Sequence, residues 1–231
     1  MNSNSYLYSA FKGLDEAMNG TLGEAKFENI KEAINNYAIA SAIGGMAASI
    51  IPGVAGVAAM ISQSGFVWAT YIKINKTVGI SMSEHTVKFL ATAMMTNVAT
   101  NAGVTLATYA AAAIISFIPL YGNAIAAAIN AALGYMMVYV AAVLYLTLIT
   151  KLIQPDGTIK VDENDDTKHI IKDIINECNL KDLIKEGRDS YKKVKADGTL
   201  DRAKKNPKCP GCGAEVRPGQ KFCSDCGTAL M

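Results

Sequence analysis

The chain has 231 residues, with 22 Lys and Arg against 20 Asp and Glu and a net charge of +2. That near-balance excludes recognition of nucleic acid by overall electrostatics. The mean hydropathy of +0.20 hides a split composition: Ala33–Ile72 and Phe89–Thr150 contain no Asp, Glu, Lys or Arg over 40 and 62 residues.

The N-terminus, beginning Met1-Asn2-Ser3, carries no basic region leading into an apolar core, so a cleaved signal peptide is not expected. Residues 1–36 read as one or two amphipathic helices. Phe27, Ile30, Ile34 and Tyr37 recur at steps of three and four, with Glu24, Lys26, Glu28, Lys31 and Glu32 on the other face. Such a helix lies on a membrane, on a partner or on the core of a small cap.

Residues 37–153 form the hydrophobic region. Ile51-Pro52-Gly53 breaks it, because proline lacks an amide donor and glycine favours a turn. The first hairpin then has arms at about 38–50 and 54–72, roughly 21 and 28 Å long at the helical rise. A re-entrant or tilted hairpin suits these lengths better than two full spans of a core about 30 Å thick. Lys73, Lys76, Glu84, His85 and Lys88 make residues 73–88 a polar connector, and Ser81-Met82-Ser83-Glu84 reads as a capping box.

A second hairpin follows at about 89–117 and 122–152, turning at Pro119 and Gly122. Ser116-Phe117-Ile118-Pro119 echoes Ser49-Ile50-Ile51-Pro52, so the region reads as two helix–Pro turn–helix repeats. Its arms are long enough to cross a bilayer with tilt. Lysines flank both hairpins and the turns carry no charge, which predicts both termini on the cytoplasmic side of a bacterial inner membrane. Tyr37, Trp68, Tyr71, Phe89 and Tyr145 are expected near that interface.

Small residues, Gly44 and Gly45 in the first hairpin and Ala124, Ala128 and Ala132 in the second, offer close helix packing within the chain or in a homo-oligomer. Thr92, Thr96, Asn97, Thr100, Asn101, Thr105 and Thr108, with Asn130 on the opposing arm, form a polar stripe. Amides in hydrocarbon need partners, so the stripe is expected to be a buried polar seam or, alternatively, a wet pore lining.

Residues 154–206 read as a turn at Pro155-Asp156-Gly157, a charged amphipathic helix marked by Ile170, Ile171, Ile174, Ile175, Cys178, Leu183 and Ile184, and a lysine-rich tether from Lys192 to Asn206. The Asp162–Asp166 run lacks the spacing and glycine of a calcium loop and fits a helix start. Residues 207–231 carry Cys209-Pro210-Gly211-Cys212 and Cys223-Ser224-Asp225-Cys226. Two such pairs predict a closed tetrahedral site for structural Zn2+. With four of five cysteines at metal spacing, a reducing compartment is expected, and Cys178 is left to packing.

This C-terminal segment resembles the short bacterial zinc-ribbon domains over about 208–230. The resemblance implies a cytosolic appendage that makes protein contacts. The hydrophobic region, through Ile51-Pro52-Gly53, Gly79-Ile80-Ser81 and Ile118-Pro119, is similar over about 45–153 to the helical domain of unknown function that accompanies bacterial small GTPases. It implies a membrane-associated module beside a nucleotide-driven partner; the chain itself has no Gly-x-x-x-x-Gly-Lys-Ser/Thr loop.

No nucleophile elbow, zinc-protease or nucleotide motif occurs, and His85 and His169 stand apart, so no enzymatic activity is expected. The expected protein is mainly α, with a two-hairpin membrane domain, a cytosolic amphipathic helix and a small zinc ribbon. Its expected role is that of a membrane scaffold or adaptor in contact with lipid and, through the ribbon, with a protein partner. An oligomeric pore and a soluble helical binding protein are the alternatives.

Overall fold

The computed structural model describes residues 5–48, 57–115, 122–154, 158–162, 165–205, 207–217, 220 and 222–228. Among them run eight helices: α1 (Tyr6–Ala17), α2 (Gly23–Ala48), α3 (Val57–Val78), α4 (Glu84–Ile115), α5 (Gly122–Leu152), α6 (Asp165–Glu177), α7 (Leu180–Ala196) and α8 (Thr199–Lys205). The expected turn residues Pro52, Gly53 and Pro119, and the Pro155-Asp156-Gly157 turn, lie outside the described residues; Gly122 opens α5.

α5 is the axis. It packs against α1, α2, α3, α4, α6 and α7, and every residue from Gly134 to Leu146 is buried. A helix apolar on all sides needs a shell on all sides, and here the shell is protein. Among the described residues it is also the one helix long and apolar enough to cross a membrane, yet 89% of that window is buried inside the protein. Length and composition alone therefore do not place it in lipid.

α2 and α5 run antiparallel at backbone contact. A Cβ added at Gly45 would lie 2.7 Å from the carbonyl oxygen of Asn130, and one at Gly134 would lie 2.8 Å from that of Ser41. Ala132 is fully buried and Ala128 half-buried on the same helix; Gly44 is half-buried. α3 joins α5 through stacked Tyr71 and Tyr145 rings, 3.7 Å apart. The Tyr71 hydroxyl donates to Ala141 O at 3.0 Å and the Tyr145 hydroxyl to Asn75 Oδ1 at 2.8 Å. Tyr37, Tyr71 and Tyr145 are thus interior, not an aromatic belt at an interface. Trp68 has its indole N–H buried, with the Lys88 ammonium 4.5 Å from its ring.

The ends of the elements follow local chemistry. α4 starts one residue after Ser83, whose Oγ accepts from Thr86 N at 3.0 Å; the cap is Ser83, not Ser81. α2 runs unbroken through 36–37, so the amphipathic stretch and the first apolar arm are one helix. The expected tether is also helical: Tyr191, Val194 and Leu200 are buried, and Asp197 ends α7 while its carboxylate accepts from Thr199 N at 2.8 Å to open α8. Val194 and Leu200, with Tyr191 just ahead, give 192–205 something to bury, which lysine content alone conceals. Cys178 follows α6, and burial pushes its thiol up.

Glu186 on α7 clasps three elements. Ser5 Oγ donates to it at 2.7 Å, Tyr6 N at 2.8 Å, and the Tyr139 hydroxyl of α5 donates to the same carboxylate. The carboxylate sits at the N-terminus of α1, where free amides and the helix dipole favour an anion. Replacing Glu186 with Ala strips these donors of their acceptor. We expect a loss of about 1.5–3 kcal/mol, read by thermal unfolding, with hydrogen exchange rising first in α1.

Candidate metal centre

The ribbon is built from two turns with the same hydrogen-bond pattern. In the first, Cys209 N donates to Ala214 O at 2.7 Å and Gly213 N to Cys209 O at 2.8 Å. In the second, Cys223 N donates to Thr228 O at 2.8 Å and Gly227 N to Cys223 O at 2.9 Å. Gly213 and Gly227 close the turns at φ +79° and +71°, a region that side chains resist. Amides also point at sulfur: Gly211 N lies 3.3 Å from Cys209 Sγ, and Asp225 N lies 3.4 Å from Cys223 Sγ.

The four sulfurs lie within 4.8 Å of one another. The cross-turn pairs Cys209–Cys226 and Cys212–Cys223 stand at 3.5 and 3.6 Å. Zinc–sulfur bonds of about 2.3 Å at tetrahedral angles require sulfur separations of about 3.8 Å, so the donor set fits that ion. None of the cysteines is in a disulfide. Without the ion the thiols share their protons unequally. Burial pushes Cys209 up; the Ala214 backbone lowers Cys212, but contacts with the other cysteines carry it up to about 12. Burial also raises Cys226, but hydrogen bonds from the Thr228 side chain and backbone bring it down to about 6. A thiolate is the form a metal binds.

Residues 208–230 match the family model of the zinc-ribbon domain. No curated protein and no solved structure matches the chain. Cys209, Cys212, Cys223 and Cys226 are therefore a structural zinc site in a zinc ribbon, saturated by protein ligands and without a vacancy for water.

The ribbon does not hang free. Lys73 Nζ of α3 reaches Gly211 O at 3.4 Å, and the Tyr37 hydroxyl of α2 lies against the same turn, beside Thr228. A Cβ at Gly211 would meet the Thr228 hydroxyl at 2.3 Å and the Tyr37 hydroxyl at 3.2 Å. Sequence reasoning missed Tyr37 and Lys73; 138 residues separate Lys73 from Gly211, and no local pattern links them.

The polar stripe lies elsewhere. Thr92, Thr96, Thr100, Asn101 and Thr108 are exposed, and Asn97 and Thr105 are half-buried on α4. The stripe faces outward rather than forming a seam buried against another helix of this chain. Its donors turn back on α4: Asn97 Nδ2 bonds Ala93 O at 2.9 Å, Thr100 Oγ1 bonds Thr96 O at 2.8 Å, Asn101 Nδ2 bonds Asn97 O at 2.8 Å and Thr108 Oγ1 bonds Val104 O at 2.9 Å. Self-satisfaction of this kind removes the need for a facing helix. Asn130 is half-buried on α5, and its backbone carbonyl lies against Gly45 of α2.

Proposed function

We propose that the protein is a membrane-dipping helical adaptor whose zinc ribbon makes protein contacts. One observation carries this reading: successive antiparallel helices bring the charge-free ends of α2, α3, α4 and α5 to one end of the bundle. The charged ends, with Glu24–Glu32, Lys73, Lys76, Glu84, Lys88 and Lys151, gather at the other. The side-chain contacts of α1, α6 and α7 with α5 run from Tyr135, against Tyr191, to Lys151, paired with Glu177 at 2.8 Å. These collar helices carry Arg188, 5.0 Å from the Tyr109 ring of α4, and Asp189, and they mark the limit of insertion because charged side chains are costly in hydrocarbon. The segment of α5 ahead of Tyr135 is about 20 Å long, short of a core about 30 Å thick. Partial insertion by the tip follows, rather than four complete spans.

Flotation of the purified zinc-loaded chain with anionic liposomes tests it. The chain is expected to float and to resist alkaline extraction. Ala126→Asp, at an exposed site in the tip, is expected to abolish both, since a carboxylate near mid-bilayer costs about 2.5–3.5 kcal/mol. A chain that stays below the lipid layer in every condition supports a second reading favoured by the burial of α5, a soluble helical binding protein. A pore would require several copies to arrange their α4 stripes around a channel, and dye release from the same liposomes reads that directly. We propose further, from the sequence motifs of 45–153 alone, that the protein partner is nucleotide-driven.

A further inference from the structure

We propose that the zinc-loaded ribbon is a latch that closes on the α2–α3 face of its own chain, with Lys73 and Tyr37 as the catch. The surface it meets is built for a small anionic knob. Four thiolates on one Zn2+ leave two net negative charges, whereas four thiols without metal leave none. Lys73 places its ammonium on the first turn of the ribbon at Gly211 O. Tyr37 presses its hydroxyl against the ribbon beside Gly211 and Thr228, and the Thr228 hydroxyl is 3.0 Å from Cys226 Sγ. The approach depends on the absence of a side chain at Gly211, against which both Thr228 and Tyr37 lie. The strut that delivers the ribbon is stiff: Leu200 is buried, α8 packs on α2, and Lys195 pairs with Asp201 at 3.1 Å. Zinc thus does two things: it folds the ribbon, and it supplies the charge that keeps the ribbon on Lys73. While the latch is closed, the ribbon's contact face toward other proteins is the side bearing Phe222, which is 61% exposed.

The test uses the full chain in its zinc-loaded form, with limited trypsin cleavage at exposed Lys204 and Lys205 and hydrogen exchange of α8 as readouts, and zinc content measured in parallel. Lys73→Glu and Tyr37→Phe are each expected to retain one zinc per chain. Cleavage and α8 exchange should nevertheless rise, roughly tenfold for Lys73→Glu, which exchanges a charge-assisted hydrogen bond for repulsion. Lys73→Arg should restore protection. Equal rates in the wild type, Lys73→Glu and Tyr37→Phe, with zinc retained in all three, overturn the latch; so does a failure of Lys73→Arg to protect. Should Lys73→Glu lose its zinc, Tyr37→Phe decides alone, since it removes one hydroxyl and no charge. None of these readouts involves lipid, so the outcome is independent of the membrane reading.

Discussion

Gly45→Val is expected to unfold the bundle or strip it of cooperativity, the largest effect of any single helix substitution in this chain. Its first side-chain atom would sit 2.7 Å from the carbonyl oxygen of Asn130 and 3.1 Å from the carbonyl carbon. Real contacts of this kind do not come so close, and the obstacle is backbone, which has no rotamer to change. α2 and α5 must separate, and α5 cannot shift alone because it is the common partner of six helices. Overpacking in a tight core costs about 1–3 kcal/mol, occasionally more, and loss of the α2–α5 seam adds to it. Gly134→Val meets the reciprocal obstacle at Ser41, 2.8 Å away. Gly103→Ala is the control: nothing lies within 4 Å of the added carbon, and removing a helical glycine should stabilise by about 0.5–1 kcal/mol. Thermal unfolding followed by circular dichroism, in detergent where needed, separates the three variants. Equal melting of Gly45→Val and wild type would refute the close crossing.

Removal of zinc, by chelation or by Cys223→Ser, should unfold residues 207–228 while leaving the helices folded. Among the described ribbon residues only Cys209, Pro210 and Cys223 are buried, which is no apolar core. The metal must therefore supply the folding energy, and apparent zinc-binding energies in such small modules are about 10–16 kcal/mol near neutral pH. The helices draw on a separate core around α5. Far-ultraviolet dichroism should change little, zinc stoichiometry should fall from one to none, and the amides of Gly213 and Gly227 should lose their protection. A collapse of helical signal on chelation would show that the two parts fold as one.

The zinc site was legible because its information is local: spacing within each pair, a glycine after each second cysteine, and the tetrahedral demand of the ion. The helix at Gly122–Leu152 was legible for a similar reason, since a long charge-free run leaves little else for the backbone to do. What the neighbours are was not legible. Tyr71 and Tyr145 invited an interfacial reading because aromatics beside lysines are common there, and only the fold shows them stacked on each other. The α4 stripe invited a seam because buried amides need partners; bonds back to the helix's own carbonyls satisfy them without one. Gly45 and Gly103 are alike in sequence, and a helix crossing makes Gly45 alone of the two indispensable. The lysine run at 192–205 concealed Val194 and Leu200, which with Tyr191 just ahead are too few apolar residues to announce a helix yet enough to seat one.

The lone tryptophan gives this chain a built-in optical reporter. Trp68 lies at the junction of α3 and α4, its N–H shut away from solvent and a cation over its ring. Emission from a single indole needs no label and no deconvolution, so movement of Lys88 or entry of water at that junction registers as a change in colour and intensity. The connector between α3 and α4 can therefore be watched in real time while either end of the molecule is perturbed.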